Sequence, residues 1–169
     1  YFMWGSTKAN AADECTWEHA PFNNGSDSCD EEYFNAHKSE WLDDDNNLKP
    51  EFDAASQIMG GDWRMPTKAE LQELIDYTTN EWFTNYNGTG VSGRKFTSKT
   101  NGKSIFFPAS GHASGTEVYH RGTYGKYWSS SLSPSRSNYG LHLKFNSGDI
   151  DPQYDDRRYF GFCVRGVRK

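Results

Sequence analysis

Apolar and polar residues alternate along a stretch in the last third of the chain. In the segment YGLHLKF, every second position is apolar: Tyr139, Leu141, Leu143 and Phe145. This period of two predicts a strand with one buried face and one face in solvent. The surrounding residues, from Gly122 onward, are rich in Tyr, Ser, Asn, Asp, Gly, His and Arg. Rigid aromatic rings among short polar side chains are typical of binding surfaces, so the segment favours recognition over catalysis.

A helical period predicts two helices in the middle of the chain. The first covers Leu48–Met59 and ends at Gly60, the first of two consecutive glycines, which is a common helix terminus. The second helix begins after Thr67, which forms a capping box with Glu70, and runs to about Thr78. Its apolar stripe consists of Leu71, Leu74 and Ile75.

Short strands with a period of two follow the helices. Strands near Val91–Thr97 and Ser104–Pro108 flank Asn101 and Gly102, a strong signal for a two-residue hairpin turn. Helices followed by strands predict the α+β class, with two helices packed on a small antiparallel sheet and with long loops. Further strands fit Lys126–Ser131, Tyr139–Asn146 and Tyr159–Val167.

The 169 residues are expected to form one domain, residues 1–169, long enough to bury about two-thirds of the extended-chain surface. Residues 1–47 are interpreted as a loop-rich part, residues 48–121 as the helices and first hairpin, and residues 122–169 as a candidate variable segment. Only 34% of the residues are apolar, but 16% are aromatic, and these rings supply the core. No apolar run approaches the ~20 residues that span a bilayer, so no membrane insertion is expected.

Charge and cysteine content narrow the partner classes. Residues 1–62 carry 14 acidic and 3 basic side chains, and residues 63–169 carry 9 acidic and 15 basic ones. The basic residues are dispersed and interrupted by aspartates, so no nucleic-acid partner is expected. Cys15 and Cys29 could pair in an exported protein, whereas Cys163 is expected to be a small core residue. No metal site is expected, because no cysteine or histidine spacing is typical of zinc ligands.

Four segments of the chain resemble motifs of one known family. They are GGDWRMPTKAEL at 60–71, YWSSS at 127–131, FNSG at 145–148 and RYFGFCVR at 158–165. In this order they resemble the Fibrobacter major paralogous domain over roughly residues 48–168. The resemblance implies a C-type lectin-like fold, shared with formylglycine-generating enzymes. Some members of this group are variable proteins of diversity-generating retroelements, on the surfaces of bacteria such as Bacteroidetes or on phage tails, where adenine mutagenesis rewrites the binding surface.

The resemblance also implies what chemistry to expect. The related enzymes use a cysteine pair late in the chain, whereas this sequence has only Cys163 there, so no enzymatic activity is expected. The tripeptides with which C-type lectins bind sugar through calcium are absent, and no cofactor is expected. A structural Ca²⁺ stays open as an alternative, because hard oxygen ligands are abundant at four positions: Asp149, Asp151, Asp155 and Asp156.

The candidate ligand-binding residues follow from the strand and its neighbours. Side chains between the apolar positions are expected to point to solvent, and the 149–157 loop is expected to extend that surface. Tyr154 and Tyr159 are the expected main contacts. Trp128 is expected in the core, and Arg158 and Arg165 are expected to make framework hydrogen bonds. The predicted ligand-binding residues are Lys126, Asn138, His142, Lys144, Asn146, Asp149, Asp151, Gln153, Tyr154, Asp155, Asp156, Arg157 and Tyr159.

The sequence thus favours a module that recognises a cell-surface protein or glycan from outside the cell, at a cell surface or on a phage virion, with oligomerisation left to a parent assembly. The alternative is a fixed adhesive or structural module of a secreted bacterial surface protein. In a diversified segment, AAC or AAT template codons yield residues such as Tyr, Asn, Asp, Ser, His and Arg. They do not yield the residues at Lys126, Lys144 or Gln153.

Overall fold

The computed structural model describes residues 1–168 and has an α+β architecture. The helices are α1 (Glu31–Trp41), α2 (Ala54–Met59) and α3 (Lys68–Asp76), and single 3₁₀ turns lie at Ala12–Glu14, Pro50–Phe52 and Tyr86–Gly88. The strands are β1 (Trp63–Arg64), β2 (Thr78–Phe83), β3 (Gly93–Ser98), β4 (Ser104–Pro108), β5 (His112–Ser114), β6 (Glu117–Tyr119), β7 (Gly125–Leu132), β8 (Tyr139–Phe145), β9 (Ile150–Arg157) and β10 (Val167–Arg168).

Helix α3 confirms the capping-box prediction. The Thr67 hydroxyl accepts a hydrogen bond from the Glu70 amide at 3.3 Å, and the Glu70 carboxylate accepts one from the Thr67 amide at 2.9 Å. Arg64 also donates to both carboxylate oxygens of Glu70, at 2.6 Å each. These bonds satisfy amides that lack a partner within the helix, and Leu71 then lies buried under the sheet.

The predicted helix over Leu48–Met59 is shorter than expected. A 3₁₀ turn at Pro50–Phe52 precedes α2, and Asp53 separates the two. The Asp53 carboxylate accepts from the amide of Ser56, which caps α2, and also from the amide of Met65. Because this buried carboxylate joins two segments, Asp53 stays in the extended backbone region and the helix begins after it.

Helix α1 lies in the part that was predicted to be loop-rich, so that prediction is wrong over residues 31–41. Asp30 caps the helix by accepting a hydrogen bond from the Tyr33 amide at 2.9 Å. Phe34 and Trp41 are the buried residues of the helix, and most of its other side chains are exposed and polar. This narrow apolar stripe explains why the periodicity was weak.

The strands form four antiparallel sheets, with the orders β7-β8-β9, β2-β3-β4, β5-β6 and β1-β10. The predicted hairpin at Asn101 and Gly102 is confirmed between β3 and β4, but its connection is longer than the predicted two-residue turn, because β3 ends at Ser98 and β4 begins at Ser104. Two predictions are wrong: the predicted loop over residues 149–157 is strand β9 from Ile150 onward, and the predicted strand over Tyr159–Val167 is mostly irregular. Polar residues lie on both faces of β9, so its sequence lacks the apolar alternation of a half-buried strand.

Aromatic rings fill the core, as the composition predicts. One cluster gathers Trp4, Phe34, Trp41, Trp128 and Phe162 between the N-terminal part and the β7-β8-β9 sheet. A second cluster lies between α3 and the sheets and contains Leu71, Phe96, Phe107, Tyr127, Leu143 and Phe145. The core position predicted for Trp128 is confirmed, because its side chain is fully buried.

Candidate ligand-binding surface

The β7-β8-β9 sheet positions the candidate site. Its register places His142 opposite Trp128 on one side and opposite Tyr154 on the other. Leu143 and Phe145 are buried with the helix α3 cluster, which confirms the buried face predicted for this strand. The opposite face therefore carries His142 and its cross-strand neighbours.

Three titratable side chains meet on that opposite face: Lys126 of β7, His142 of β8 and Asp156 of β9. Asp156 accepts a hydrogen bond from Lys126 Nζ at 2.8 Å and contacts His142 Nε2 at 3.1 Å through the same carboxylate oxygen. Burial raises the pKa of Asp156, but hydrogen bonds from His142 and Lys126 outweigh it and lower the pKa to about 2. Burial lowers the pKa of His142, and the hydrogen bond with Asp156 acts in the opposite direction. The other ring nitrogen of His142, Nδ1, lies 3.2 Å from the carbonyl oxygen of Leu143. The network therefore fixes the three strands to one another.

The expectation that His142 points to solvent is wrong, and Lys126 is also buried. Phe162 covers both side chains: its ring centroid lies 4.6 Å from that of His142 and 4.9 Å from Lys126 Nζ. Phe162 also stacks on Trp128 at 4.0 Å. The chain after β9 folds back over this face of the sheet. The alternation of apolar and polar residues in β8 alone therefore predicts exposure for a face that is covered.

Two aromatic rings lie next to Lys144 at the margin of this face, and two further rings extend the group. Lys144 Nζ lies 3.7 Å from the ring centroid of Tyr154 and 5.8 Å from that of Tyr124. The ring centroid of His120 lies 5.2 Å from that of Tyr124 and 6.5 Å from that of Tyr119. Tyr154 and Tyr119 expose 40% and 42% of their surface. These five residues form one continuous patch, which we call the Tyr154 surface.

His112 lies behind the Tyr154 surface at the start of β5. Its ring contacts Tyr119 and His120, with centroid distances of 5.5 and 5.6 Å. Its Nδ1 atom is buried and has no hydrogen-bond partner within residues 1–168. Burial, aided by the charge of Lys126, lowers the pKa of His112 to about 4. The patch thus rests on a neutral, desolvated ring.

The structure does not bring all the predicted residues to this surface. Asp155 lies near the C-terminal end of β9, where its carboxylate accepts hydrogen bonds from Arg136 and from the Ser133 hydroxyl. The amide of Gln153 donates to Gln72 on helix α3, at 3.3 Å. Both residues therefore lie on the side of the sheet away from Tyr154.

The remaining predicted residues lie in turns, at strand ends or in packing positions. Asn146 shapes the β8-β9 turn, because its side-chain oxygen accepts from the amides of Gly148 and Asp149. Tyr159 packs edge-on against Trp17, with ring centroids 5.0 Å apart. Asp151 pairs in register with Lys144. Asn138 lies in the β7-β8 turn, and Arg157 ends β9 opposite Tyr139.

Sequence reasoning missed three members of the Tyr154 surface: Tyr119, His120 and Tyr124. They lie before or near the start of the segment, from Gly122 onward, whose composition is typical of binding surfaces. The sequence does contain a local signal for them. Gly115 lies in a turn between two short strands, and Tyr119 and His120 are exposed at the end of the second. A hairpin prediction at this turn would have found them.

Of the two arginines that are predicted to make framework hydrogen bonds, Arg158 does so and Arg165, in the described part of the chain, does not. Arg158 is fully buried and donates to the carbonyls of Ser137 and Pro21, which confirms its role. Burial lowers its pKa to about 10. Arg165 is exposed and lies over the ring of Phe107, and it makes no hydrogen bond within residues 1–168, so the prediction for it is wrong.

The structure also bears on thiols, metals and membranes. Cys15 is buried, Cys29 is half-buried, and both are free thiols, so the alternative in which they pair is not observed. Within residues 1–168, no cluster of three or more His, Cys, Asp or Glu side chains has a metal-binding arrangement. In the same part of the chain, no helix has the length and apolar character needed to cross a membrane.

The fold and the Tyr154 surface define a small α+β domain that presents an aromatic, polar patch on a sheet. The chain belongs to the Lcl C-terminal domain family, which matches residues 1–168. This match confirms the family resemblance drawn from the four sequence motifs. No curated protein and no solved structure gives a significant match to the chain.

Proposed function

We propose that this protein is a non-enzymatic ligand-binding module that uses the Tyr154 surface to recognise a cell-surface protein or glycan. Membership of the Lcl C-terminal domain family is consistent with a binding module. The observation that carries the proposal is the continuous patch of exposed and half-buried rings next to Lys144. The proposal includes a C-type lectin-like scaffold, no cofactor, and a location outside the cell or on a phage virion.

The physical basis is preorganisation. Tyrosine and histidine rings have few rotatable bonds, so they provide contact area at low entropic cost. The ammonium of Lys144 lies against two rings, which fixes its position and leaves it able to donate to a ligand. Beneath, the Lys126–Asp156–His142 network joins the three strands. A ligand therefore meets a surface that needs little rearrangement.

The central test compares a surface variant with a matched control. The labelled domain is applied to a printed array of glycans and purified extracellular proteins, and the affinity for the strongest binder is measured. Tyr154→Ala is expected to weaken binding about 10-fold or more, because removal of an aromatic hot spot typically costs 1–2 kcal/mol or more. Lys144→Ala is expected to act in the same direction.

The control is Tyr77→Ala, which removes a tyrosine that is 66% exposed on a different part of the molecule. It should bind like the unmodified domain. Full binding by both the Tyr154→Ala and Lys144→Ala variants, with folding verified by circular dichroism, would show that this surface is not the site.

We propose further that a retroelement diversifies this surface. Four of its five members are Tyr or His, and both residues arise from AAC template codons by substitution of adenine. Sequencing codons 111–169 of the source locus across a population is expected to find adenine-templated substitutions at Tyr119, His120, Tyr124 and Tyr154. A uniform segment would instead favour the fixed adhesive or structural module.

A further inference from the structure

An apolar groove lies between helix α3 and the C-terminal segment, in a part of the molecule that the proposed function does not use. Its volume is about 390 Å³, within the range of small-molecule sites. Its apolar lining comes from α3, the end of that helix, β4 and β10: Leu71, Leu74, Tyr77, Ile105, Phe107 and Val167. Because several elements meet here, the groove is preformed rather than a gap beneath one loop.

Most polar side chains in the groove already have partners. Glu70 binds Arg64, and the Thr78 hydroxyl donates to the carbonyl of Leu74. Tyr127 donates its hydroxyl hydrogen to the carbonyl of Pro108 at 2.8 Å, and Ser98 accepts from the Thr100 amide at 3.2 Å. These groups are therefore not free to bind a ligand's charged group without losing an existing bond.

Arg165 is the exception. It is the one cation that lines the described part of the groove, and it has no ion-pair or hydrogen-bond partner within residues 1–168. Its guanidinium lies 5.4 Å from the ring centroid of Phe107, at the edge of the apolar lining. A guanidinium next to an apolar cavity is complementary to a planar carboxylate attached to an apolar body.

We propose that this groove binds a small amphiphilic carboxylic acid, with its apolar body against Leu74 and Ile105 and its carboxylate on Arg165. Glu73 also lines the groove, is exposed, and lacks an ion pair within the described residues. The negative charge of Glu73 repels an anionic ligand, so a control variant that removes this charge should not weaken binding. The site is separate from the Tyr154 surface, and its failure would leave the proposed function untouched.

The test uses octanoate and its uncharged counterpart octanamide as probes. Methyl signals in ¹H–¹³C NMR spectra locate binding: those of Leu71, Leu74, Ile105 and Val167 are expected to shift on addition of octanoate. The methyls of Val118, on strand β6, should not move. We expect octanamide to bind about fivefold more weakly than octanoate, because it lacks the charge that Arg165 recognises.

Variants separate the role of the charge from that of the cavity. Arg165→Gln is expected to weaken octanoate binding about fivefold and to leave octanamide binding unchanged, whereas Glu73→Gln should bind octanoate at least as tightly as the unmodified protein. Arg165 is exposed, so both variants should fold normally. The proposal is overturned if the groove methyls do not shift with octanoate, or if Arg165→Gln binds octanoate as well as the unmodified protein does.

Discussion

At the scale of single residues, His112 links protonation to stability. Its folded pKa of about 4 lies below the ordinary value near 6.5 because the ring is buried and Lys126, His120 and His142 lie near it, which together outweigh the raising effect of Asp156. Between pH 6.5 and pH 4 the unfolded chain binds this proton and the folded chain does not. Stability must therefore fall as the pH is lowered through this window. We expect urea titrations to show a loss of about 2 kcal/mol from His112 by pH 4.5.

The variant His112→Phe isolates that contribution. Phenylalanine preserves the aromatic packing and removes the titrating nitrogen, whose partner is absent within residues 1–168. The loss of unfolding free energy between pH 6.5 and 4.5 should shrink by about 2 kcal/mol. The matched control is His19→Phe, at an exposed histidine, which should keep the original slope. An unchanged slope in His112→Phe would show that its protonation is not coupled to folding.

At the scale of elements, local signals predicted what local bonds determine. Helix α3 and the β3-β4 hairpin follow from a capping box and a turn, each contained within a few residues. Strand β9 and helix α1 were missed because packing with distant segments stabilises them: β9 pairs with β8, and α1 buries Phe34 and Trp41 in the main core. Such tertiary contacts override weak local patterns.

The cap of α3 gives an element-scale prediction. Thr67→Ala removes the hydroxyl that accepts from the Glu70 amide, while the bond from the Thr67 backbone amide to the Glu70 carboxylate remains. The free energy of unfolding, measured by urea titration, should fall by about 1 kcal/mol. Thr100→Ala, at an exposed turn position, should change it by less than about 0.5 kcal/mol. Equal effects of the two substitutions would contradict a capping role for Thr67.

At the scale of the whole molecule, the candidate site is assembled from distant parts of the chain. The sequence identified Lys144 and Tyr154, but their neighbours come from β6 and from the segment before β7. It also placed His142 in solvent, where Phe162 in fact covers it. Alternation within a strand shows that two faces exist, but which face is covered depends on how the rest of the chain folds over them.

A substitution in the N-terminal segment can test whether this segment and the β7-β8-β9 sheet unfold together. Phe2 pairs with Phe162, and Trp4 is fully buried, with its indole N–H donating to the carbonyl of Ser129 at 3.0 Å. Its ring lies so close to Gly140 that a Cβ there would approach Trp4 to 2.8 Å. Trp4→Ala should therefore cost about 3–5 kcal/mol of unfolding free energy.

Because Phe162 packs on Trp128 and His142, the loss caused by Trp4→Ala should extend to the β7-β8-β9 sheet. Far-ultraviolet and near-ultraviolet circular dichroism should show a single coincident transition at a lower urea concentration. Tyr77→Ala, at a side chain that is 66% exposed, serves as control and should shift the midpoint little. If the near-ultraviolet signal of Trp4→Ala changed while the main transition kept its midpoint, the N-terminal segment would be an independent unit. The Tyr154 surface would then not depend on that segment for its stability.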